Sequence, residues 1–257
     1  MILLSFDIEE FDMPLEYQTI IEFKDQIEIS RKGTNYILDI LKKHGIKATF
    51  FSTARFAEEV PEIIERIKNE HHELASHTYY HSSFEESHLL VSKQKLEELS
   101  GMKVNGLRMP RMRDVNPEAV YQAGYEYNSS LNPTYLPGRY NHFSKPRTYF
   151  KQEKLWQIPA SVSPAFRLPL FWLSFHNLPL SYYQYLCRKT YKKDGYLNLY
   201  FHPWEFTDLR NKEKFGLPAY VSRNSGDAMI SRMDQFIDQM LKRKYTFGTF
   251  SSFIKKI

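Results

Sequence analysis

Three short groups of polar residues have the residue types that metal-assisted hydrolysis requires. They read SFDIEE at residues 5–10, SHTYYH at 76–81 and FHPWE at 201–205. Each follows an apolar run that predicts a buried strand, at residues 2–6, 73–76 and 196–201. Because α/β folds carry their active sites at the carboxyl ends of their strands, we expect the three groups to meet at one edge of a sheet.

The first group places Asp7, Glu9 and Glu10 directly after a buried strand. An unpaired buried carboxylate is costly, so these side chains must find a partner, a metal ion or water. One interpretation is a site for a cation. The other is an acidic loop that opens into solvent, and the residues of this group alone leave both open.

The second group contains the His-x-x-x-His pair His77 and His81. If the segment is helical, the two imidazoles share one face and suit a single ion, although the spacing also occurs by chance. In the third group, His202 lies between an apolar strand and Pro203, so its backbone is restrained. A buried structural histidine is the alternative there. Arg108 follows another predicted strand, and an ordinary salt bridge is its alternative role.

Together the groups supply the parts of one reaction. A carboxylate and two imidazoles can hold an ion while leaving positions for water and substrate. A second carboxylate can take a proton from the water, and a histidine can give one to the leaving group. The combination favours metal-assisted hydrolysis over any of the separate alternatives.

The elements that must position these residues alternate between strand and helix. The pattern predicts strands at residues 2–6, 47–52, 73–76, 106–109, 196–201 and 245–247, and helices at 30–44, 54–70, 91–99, 117–123, 182–192 and 227–243. Pro61 is expected to begin the main part of its helix. The alternation predicts βαβ units, a largely parallel sheet and one domain over residues 1–257. Residues 132–180 are proline-rich with little periodicity, and we expect long loops that form much of a substrate groove.

Composition excludes several classes of protein. The chain has 257 residues, of which 42% are hydrophobic and 25% charged, so it can bury a core and is not disordered. The net charge of +5 is spread along the chain, which argues against a nucleic-acid-binding stripe. A single cysteine, Cys187, excludes an intramolecular disulfide and a cysteine-rich zinc site. No apolar run is long enough to span a membrane, and the acids after residue 6 are unlike a signal peptide, so we expect a cytoplasmic protein.

The order of these motifs resembles the polysaccharide deacetylase family, the family-four carbohydrate esterases, over about residues 2–206. The sequence ATFF at 48–51 is similar to the family's second strand, ELASHTYYH at 73–81 to its metal-binding motif, and FHPWE to its closing motif. The resemblance implies a distorted, incomplete (β/α) barrel with about seven strands. It also implies an enzyme that uses one divalent ion on an acetylated saccharide.

The resemblance assigns roles to matching residues. They are the catalytic base Asp7, the arginine Arg108 that orients it, the metal ligands His77 and His81, the general acid His202, and Arg111, whose backbone N–H faces the oxyanion. One motif of the family has no match. Its aspartate supports the catalytic histidine, and residues 156–161, where we expect it, contain no aspartate. What supports His202 is therefore open.

The first motif also differs, because an acid-x-acid pattern replaces the adjacent aspartates of most of the family. Side chains alternate along an extended strand, so Glu9 faces the same way as Asp7 and Glu10 faces the other way. We therefore predict that Glu9 ligates the metal. A turn that starts at Ile8 would bring Glu10 inward instead, and this alternative is open.

The predicted function is a metal-dependent hydrolase that removes acetyl groups from N-acetylated sugars or polysaccharide precursors. Zinc suits the predicted ligands best, and cobalt, nickel or manganese would also fit. Tyr135, Phe166 and Trp172 are the predicted sugar-binding rings. Two alternatives are a hydrolase of the same fold acting on a non-sugar amide or imide, and a catalytically impaired saccharide-binding protein. The sugar, the choice between N- and O-deacetylation and the oligomeric state are open.

Overall fold

A curled sheet surrounded by helices positions the predicted residues. The structure, a computed structural model, describes residues 1–136 and 140–257, so part of the predicted loop stretch 132–180 lies outside the described residues. The strands are β1 (Ile2–Ile8), β2 (Thr49–Ser52), β3 (Glu73–Ser76), β4 (Gly106–Leu107), β5 (Tyr127–Asn128), β6 (Tyr135–Leu136), β7 (Tyr140–Asn141), β8 (Phe150–Gln152), β9 (Leu155–Gln157), β10 (Leu197–Phe201) and β11 (Phe247–Gly248).

Helices follow most of the strands. They are α1 (Met13–Glu16), α2 (Phe23–His44), α3 (Ala54–Glu59), α4 (Pro61–Asn69), α5 (His88–Ser100), α6 (Pro117–Gln122), α7 (Trp172–Asn177), α8 (Leu180–Asp194), α9 (Lys212–Phe215), α10 (Ala219–Ser222), α11 (Asp227–Lys242) and α12 (Phe250–Ile254). Two 3-10 turns, Pro110–Met112 and Pro203–Phe206, follow β4 and β10. None of the helices in residues 1–136 and 140–257 is long and apolar enough to cross a bilayer.

The main sheet is parallel except at its edge. Within the described residues it has nine strands, in the order β10-β1-β2-β3-β4-β5-β9-β8, with β11 paired to the start of β1. Strands β10 to β9 in this order are parallel, and β8 is antiparallel to β9. This curled, mostly parallel sheet with surrounding helices confirms the predicted fold class, a distorted, incomplete (β/α) barrel. The carboxyl ends of β1, β3, β4 and β10 therefore lie at one edge.

Two hydrophobic clusters cover the two faces of the sheet. In β1, Ile2, Leu4, Phe6 and Ile8 belong to the larger cluster, which includes residues of most helices, whereas Leu3 belongs to the smaller one, which includes residues of α12. Period-two alternation explains the difference. Ser5 and Asp7 have the parity of Leu3, so the first predicted catalytic residue lies on the face opposite most of the helices.

Helix α2 packs closely against the turn that carries His202. Gly33 makes this approach possible, because a Cβ atom on it would lie 1.9 Å from the carbonyl oxygen of Pro203. Such a distance is far below van der Waals contact, so any larger residue at position 33 would displace the turn. The glycine thus links the longest helix of the described chain to the position of a catalytic candidate.

The predicted elements all occur, with differences in their bounds. Pro61 begins α4, as predicted. Helix α2 begins at Phe23, seven residues before the predicted start, and no side-chain cap marks that start. The prediction of long loops over 132–180 is wrong for β8, β9 and α7, since segments of three to six residues are too short to show a clear period.

A buried histidine next to the sheet makes stability depend on pH. The Nδ1 atom of His72 accepts the backbone N–H of Ala48 at 3.3 Å, and burial lowers the pKa of His72 to about 4. The unfolded pKa is about 6.5, so on acidification the unfolded chain binds this proton first and stability falls between about pH 6.5 and 4. We expect His72 to contribute about 2 kcal/mol to the loss of stability between pH 7 and pH 5.

Urea unfolding at pH 7 and pH 5 measures this contribution. The variant His72→Gln keeps an acceptor for the Ala48 N–H and has no titrating group, so its loss of unfolding free energy should be smaller by about 2 kcal/mol. Equal losses in the two proteins would contradict the assignment to His72.

Candidate metal centre and active site

A small cavity lies at the carboxyl edge of the sheet. It has a volume of about 40 Å³, and its walls include Asp7, Glu9, His77, His81, Arg111 and His202. One water needs roughly 10–15 Å³ measured in this way, so the cavity has room for a few waters or a group of acetyl size. The cavity thus brings together residues at or after the carboxyl ends of four different strands, β1, β3, β4 and β10.

Glu9, His77 and His81 form a group that fits a metal ion. Glu9 Oε2 lies 3.0 Å from His77 Nε2 and 3.2 Å from His81 Nε2, and all three residues are buried. Although close to both rings, this oxygen makes no hydrogen bond of acceptable geometry. Ligand atoms about 2.0–2.2 Å from a tetrahedral zinc ion are separated by roughly 3.3 Å. The observed spacing and the unpaired buried oxygen are those of a ligand set.

The two histidines converge from a loop and not from a helix. The condition that residues 77–81 are helical is not met, because Thr78 has a φ of 65° and the segment that follows β3 is irregular. The left-handed residue turns the chain so that the two rings lie nearly parallel, with an interplanar angle of 18°. A turn therefore achieves the pairing that helical periodicity would also provide.

Both imidazoles are held by their other nitrogen. His77 Nδ1 donates to the backbone oxygen of Arg108 at 2.8 Å, and His81 Nδ1 donates to Asp12 Oδ1 at 2.7 Å. These bonds fix the tautomers and leave each Nε2 lone pair facing Glu9. Such outer contacts are typical of metal-binding histidines. No sequence pattern marks Asp12 as a functional residue, beyond its place among the acids after β1.

Neighbouring imidazoles keep the Glu9 carboxylate ionised, as binding of a cation requires. Burial on its own would raise the pKa of Glu9, but the neighbouring imidazoles of His81 and His77 outweigh it and lower the pKa to about 2. Burial likewise opposes the charge on His81, but Glu9 and Asp12 raise its pKa. Glu9 is therefore ionised at neutral pH, as a ligand must be.

Asp7 is paired with a fully buried arginine. Arg108 Nη1 donates to Asp7 Oδ1 at 2.6 Å and to Ser5 Oγ at 2.9 Å, while its other nitrogens bond to Ser129. The guanidinium also lies over the ring of Phe51, 4.0 Å from its centroid. With every one of these contacts made inside the barrel, Arg108 fixes the orientation of the Asp7 carboxylate.

His202 lies on the other side of the cavity, between aromatic rings. It stacks on Trp204 with centroids 4.8 Å apart and meets the edge of Trp172 at 5.6 Å. Its Nδ1 is 3.1 Å from Glu205 Oε1. Burial opposes protonation, but Glu205, Glu9 and Asp7 outweigh it and raise the pKa of His202.

Comparison with known proteins agrees with this geometry. A family model described as polysaccharide deacetylase matches residues 16–128. This segment, less than half of the chain, resembles the polysaccharide deacetylase family. The match includes His77, His81 and Arg108, whereas Asp7, Glu9 and His202 lie outside it, and their roles rest on the geometry above.

Among curated relatives, the peptidoglycan-N-acetylglucosamine deacetylase of Bacillus cereus is 36% identical over 84 residues. That alignment covers 30% of this chain and 30% of the relative, so the chain matches under a third of that protein's length.

Solved structures share the fold at low identity. A protein of Mycobacterium smegmatis assigned to the polysaccharide deacetylases has a TM-score of 0.60 at 20% identity, covering 97% of this chain and 92% of the other. An allantoinase has a TM-score of 0.66 at 14% identity, covering 98% and 87%. A pseudoenzyme of carbohydrate esterase family 4 from Bacillus anthracis has a TM-score of 0.53 at 14% identity, covering 98% and 64%. Deacetylases, an allantoinase and a pseudoenzyme thus share this one fold.

Relative to the family pattern, two further residues have well-defined positions. Arg111 has a φ of 57°, and its side chain bonds to Glu16, Asp12 and the backbone oxygen of His81, so its guanidinium closes one wall of the cavity. Glu10 is also buried, but its Oε2 accepts from Thr53 Oγ1 at 2.6 Å. The structure therefore directs Glu10 to the start of α3 and not to the imidazoles.

The predicted sugar-binding rings are distributed unequally. Trp172, the first residue of α7, lines the cavity and is 6% exposed. Tyr135 and Phe166 are 59% and 88% exposed, and neither is among the residues that line this cavity. Of the three, only Trp172 is brought to the site.

Proposed function

We propose that the protein is a metal-dependent hydrolase that removes acetyl groups from N-acetylated sugars or polysaccharide precursors. One observation carries the proposal: the group Glu9, His77 and His81 shares a cavity of about 40 Å³ with Asp7 and His202. A ligand set, a base and an acid are thereby present around a space of acetyl size. The match of residues 16–128 to the polysaccharide deacetylase model supports the substrate class.

Glu9, His77 and His81 are the residues that would hold the ion. One carboxylate and two imidazoles suit zinc, and cobalt, nickel or manganese would also bind. When bound, a divalent ion supplies a Lewis acid for the acetyl carbonyl and lowers the pKa of water.

The remaining steps belong to side chains of this chain. Asp7, which lines the cavity and has its Oδ1 held by Arg108, takes the proton of the attacking water. As the bond from water oxygen to the acetyl carbon forms, the backbone N–H of Arg111 stabilises the oxyanion. His202 Nε2 then protonates the nitrogen as the C–N bond breaks, which yields acetate and a free amine.

The cavity has room for an acetyl group. We place the sugar ring at its mouth, with Trp172, which is 6% exposed, as part of the wall. A precursor sugar in the cytoplasm is the substrate that we propose.

Removal of the metal is the first test. Acetate release from N-acetylglucosamine oligomers should fall more than about 100-fold after chelation and return with zinc, because the water loses its activating ion. The same preparations are assayed on small imides and ureides. Hydrolysis of these compounds in place of the oligomers would identify a non-sugar amidohydrolase of the same fold. A chain that binds N-acetylated sugars, takes up no zinc and releases no acetate would be a saccharide-binding protein.

A further inference from the structure

Glu205 lies next to His202. In the family pattern an aspartate supports this histidine, and residues 156–161, where we expect it, contain none. Glu205 lies three residues after His202 in the 3-10 turn and is completely buried. Its Oε1 accepts the backbone N–H of His202 at 2.6 Å and lies 3.1 Å from His202 Nδ1. Its Oε2 lies 2.9 Å from Nε2 of His176, which α7 contributes and which is 1% exposed.

We propose that Glu205 and His176 are positioning residues that hold His202 in the tautomer and charge state that an acid catalyst needs. The proposal rests on the proposed function for its catalytic meaning, but the hydrogen bonds themselves do not depend on it. It assigns to the closing motif the task that a separate aspartate performs in the family pattern.

The hydrogen bond to Glu205 Oε1 fixes the tautomer of His202. A carboxylate oxygen accepts and cannot donate, so the proton on the facing nitrogen belongs to Nδ1 of His202. The other nitrogen, Nε2, is then the atom that exchanges a proton with the substrate. Because the same Oε1 also binds the backbone N–H, ring and main chain are held by one atom.

His176 completes the arrangement as a neutral donor. Its Nε2 donates a hydrogen bond to Glu205 Oε2, while its Nδ1 is buried with no hydrogen-bond partner in the described structure. A charged ring would leave a buried N–H unsatisfied, which costs more than an unsatisfied lone pair. The group of three therefore contains one carboxylate and one exchangeable proton, that of His202.

Several charged groups lie near His202. Asp7 of β1, Glu9 just beyond the end of β1 and Glu205 of its own turn each raise its pKa, while α7 adds the uncharged ring of Trp172 and, behind Glu205, His176. Trp204 covers its other face. Carboxylates stabilise a buried imidazolium more strongly than aromatic faces do, and Glu205 is the carboxylate in direct contact.

Residues 156–161, where we expect the supporting aspartate, include a side chain that bonds to a residue other than His202. Ser161 Oγ accepts the backbone N–H of Asn198 at 2.9 Å, and Asn198 precedes His202 by four residues on β10. Ser161 thus does not take the role of the missing aspartate. The support comes from the turn itself and from a helix in the region predicted to be loop.

The variant Glu205→Gln tests the proposal, because it keeps the shape and removes the charge. With the zinc-loaded protein, ¹H–¹⁵N NMR of the imidazoles follows the titration of His202, assigned with His202→Gln. We expect His202 to lose its proton at a pH at least about one unit lower in the variant. The rate on N-acetylglucosamine oligomers should fall about 10- to 100-fold, with the basic limb of the pH profile displaced to lower pH.

Three further measurements separate positioning from a general structural effect. The rate on 4-nitrophenyl acetate should stay within about threefold of wild type, since its leaving group needs no acid. His176→Phe should lower the His202 titration in the same direction. Asp208→Asn removes an exposed acid near the turn and should leave the titration unchanged. Zinc content measured on each variant shows that the ligand set is intact.

The outcomes are distinct. An unchanged His202 titration in Glu205→Gln overturns the proposal, whatever the activity. A lowered titration in a protein whose wild type releases no acetate from any N-acetylated sugar keeps the positioning role and refutes the proposed function.

Discussion

Replacing Glu9 by glutamine is expected to remove the metal ion, whereas the same change at Glu10 is expected to leave it bound. Removal of an outer-shell partner of a metal site typically costs 10- to 100-fold in affinity, and loss of a ligand should exceed about 100-fold. Hydrolysis of N-acetylated sugars should decline in parallel, because the remaining two imidazoles cannot keep the ion at ordinary zinc concentrations.

The two glutamates differ in what they face. Glu9 Oε2 lies within 3.2 Å of both imidazoles and makes no hydrogen bond of its own. Glu10 Oε2 binds Thr53 Oγ1, which in turn caps the first turn of α3 by accepting the N–H of Phe56. Burial raises the pKa of Glu10, and glutamine at this position keeps an oxygen that can accept from Thr53 Oγ1. The two substitutions are therefore matched in length and in burial.

Elemental analysis of the purified variants after zinc loading provides the measurement. Near one zinc per chain is expected for Glu10→Gln and much less for Glu9→Gln. Thermal melting of both metal-free proteins serves as the control for folding. If Glu10→Gln loses the ion and Glu9→Gln retains it, the assignment of the ligand is wrong.

Alternation along β1 explains why part of the site is predictable. Leu3, Ser5 and Asp7 share a face because the strand repeats every two residues, and Glu9 follows with the same parity beyond the strand's end. The apolar runs before His77 and His202 likewise predict strands, and the carboxyl ends of parallel strands meet at one edge of the sheet. Local patterns of this kind contain the fold class and the outline of the site.

Long-range contacts are less accessible from the sequence. The bond between His81 and Asp12 joins positions 69 residues apart, and that between Glu205 and His176 joins α7 to the turn after β10. No periodicity links such pairs, and α7 itself has only six residues. Thr78 shows the same limit in a local segment, since its positive φ replaces the helix that the histidine spacing suggests.

The second large effect is expected from the two proton-transfer residues, and substrates separate their roles. His202→Ala should keep the metal and slow hydrolysis of an unactivated N-acetyl sugar by about 10²–10⁴-fold, the usual contribution of an acid catalyst. On 4-nitrophenyl acetate it should have little effect, because the phenolate leaves without a proton. Asp7→Asn should slow both substrates, since each needs a water that has lost its proton.

The Asp7 variant needs a control for folding. Asparagine keeps an oxygen for Arg108 Nη1 but leaves the buried guanidinium without its carboxylate, and breaking a buried ion pair costs about 3–5 kcal/mol. Thermal melting therefore accompanies the assays, and rates are taken well below the melting temperature. Arg108→Lys is the matched variant, because it retains a positive charge but loses the guanidinium contacts with Ser129, and it should melt lower with a smaller loss of rate than Asp7→Asn.

The pattern across variants and substrates decides the assignment. Loss on both substrates for Asp7→Asn, together with loss only on the N-acetyl sugar for His202→Ala, is what a base acting on water and an acid acting on the leaving nitrogen require. If His202→Ala slows the activated ester as much as the amide, His202 acts before the leaving group departs. If Asp7→Asn retains the wild-type rate on either substrate while zinc is bound, the water loses its proton to another group, and the cavity wall that Asp7 shares with Glu9 and His202 is not the site of attack.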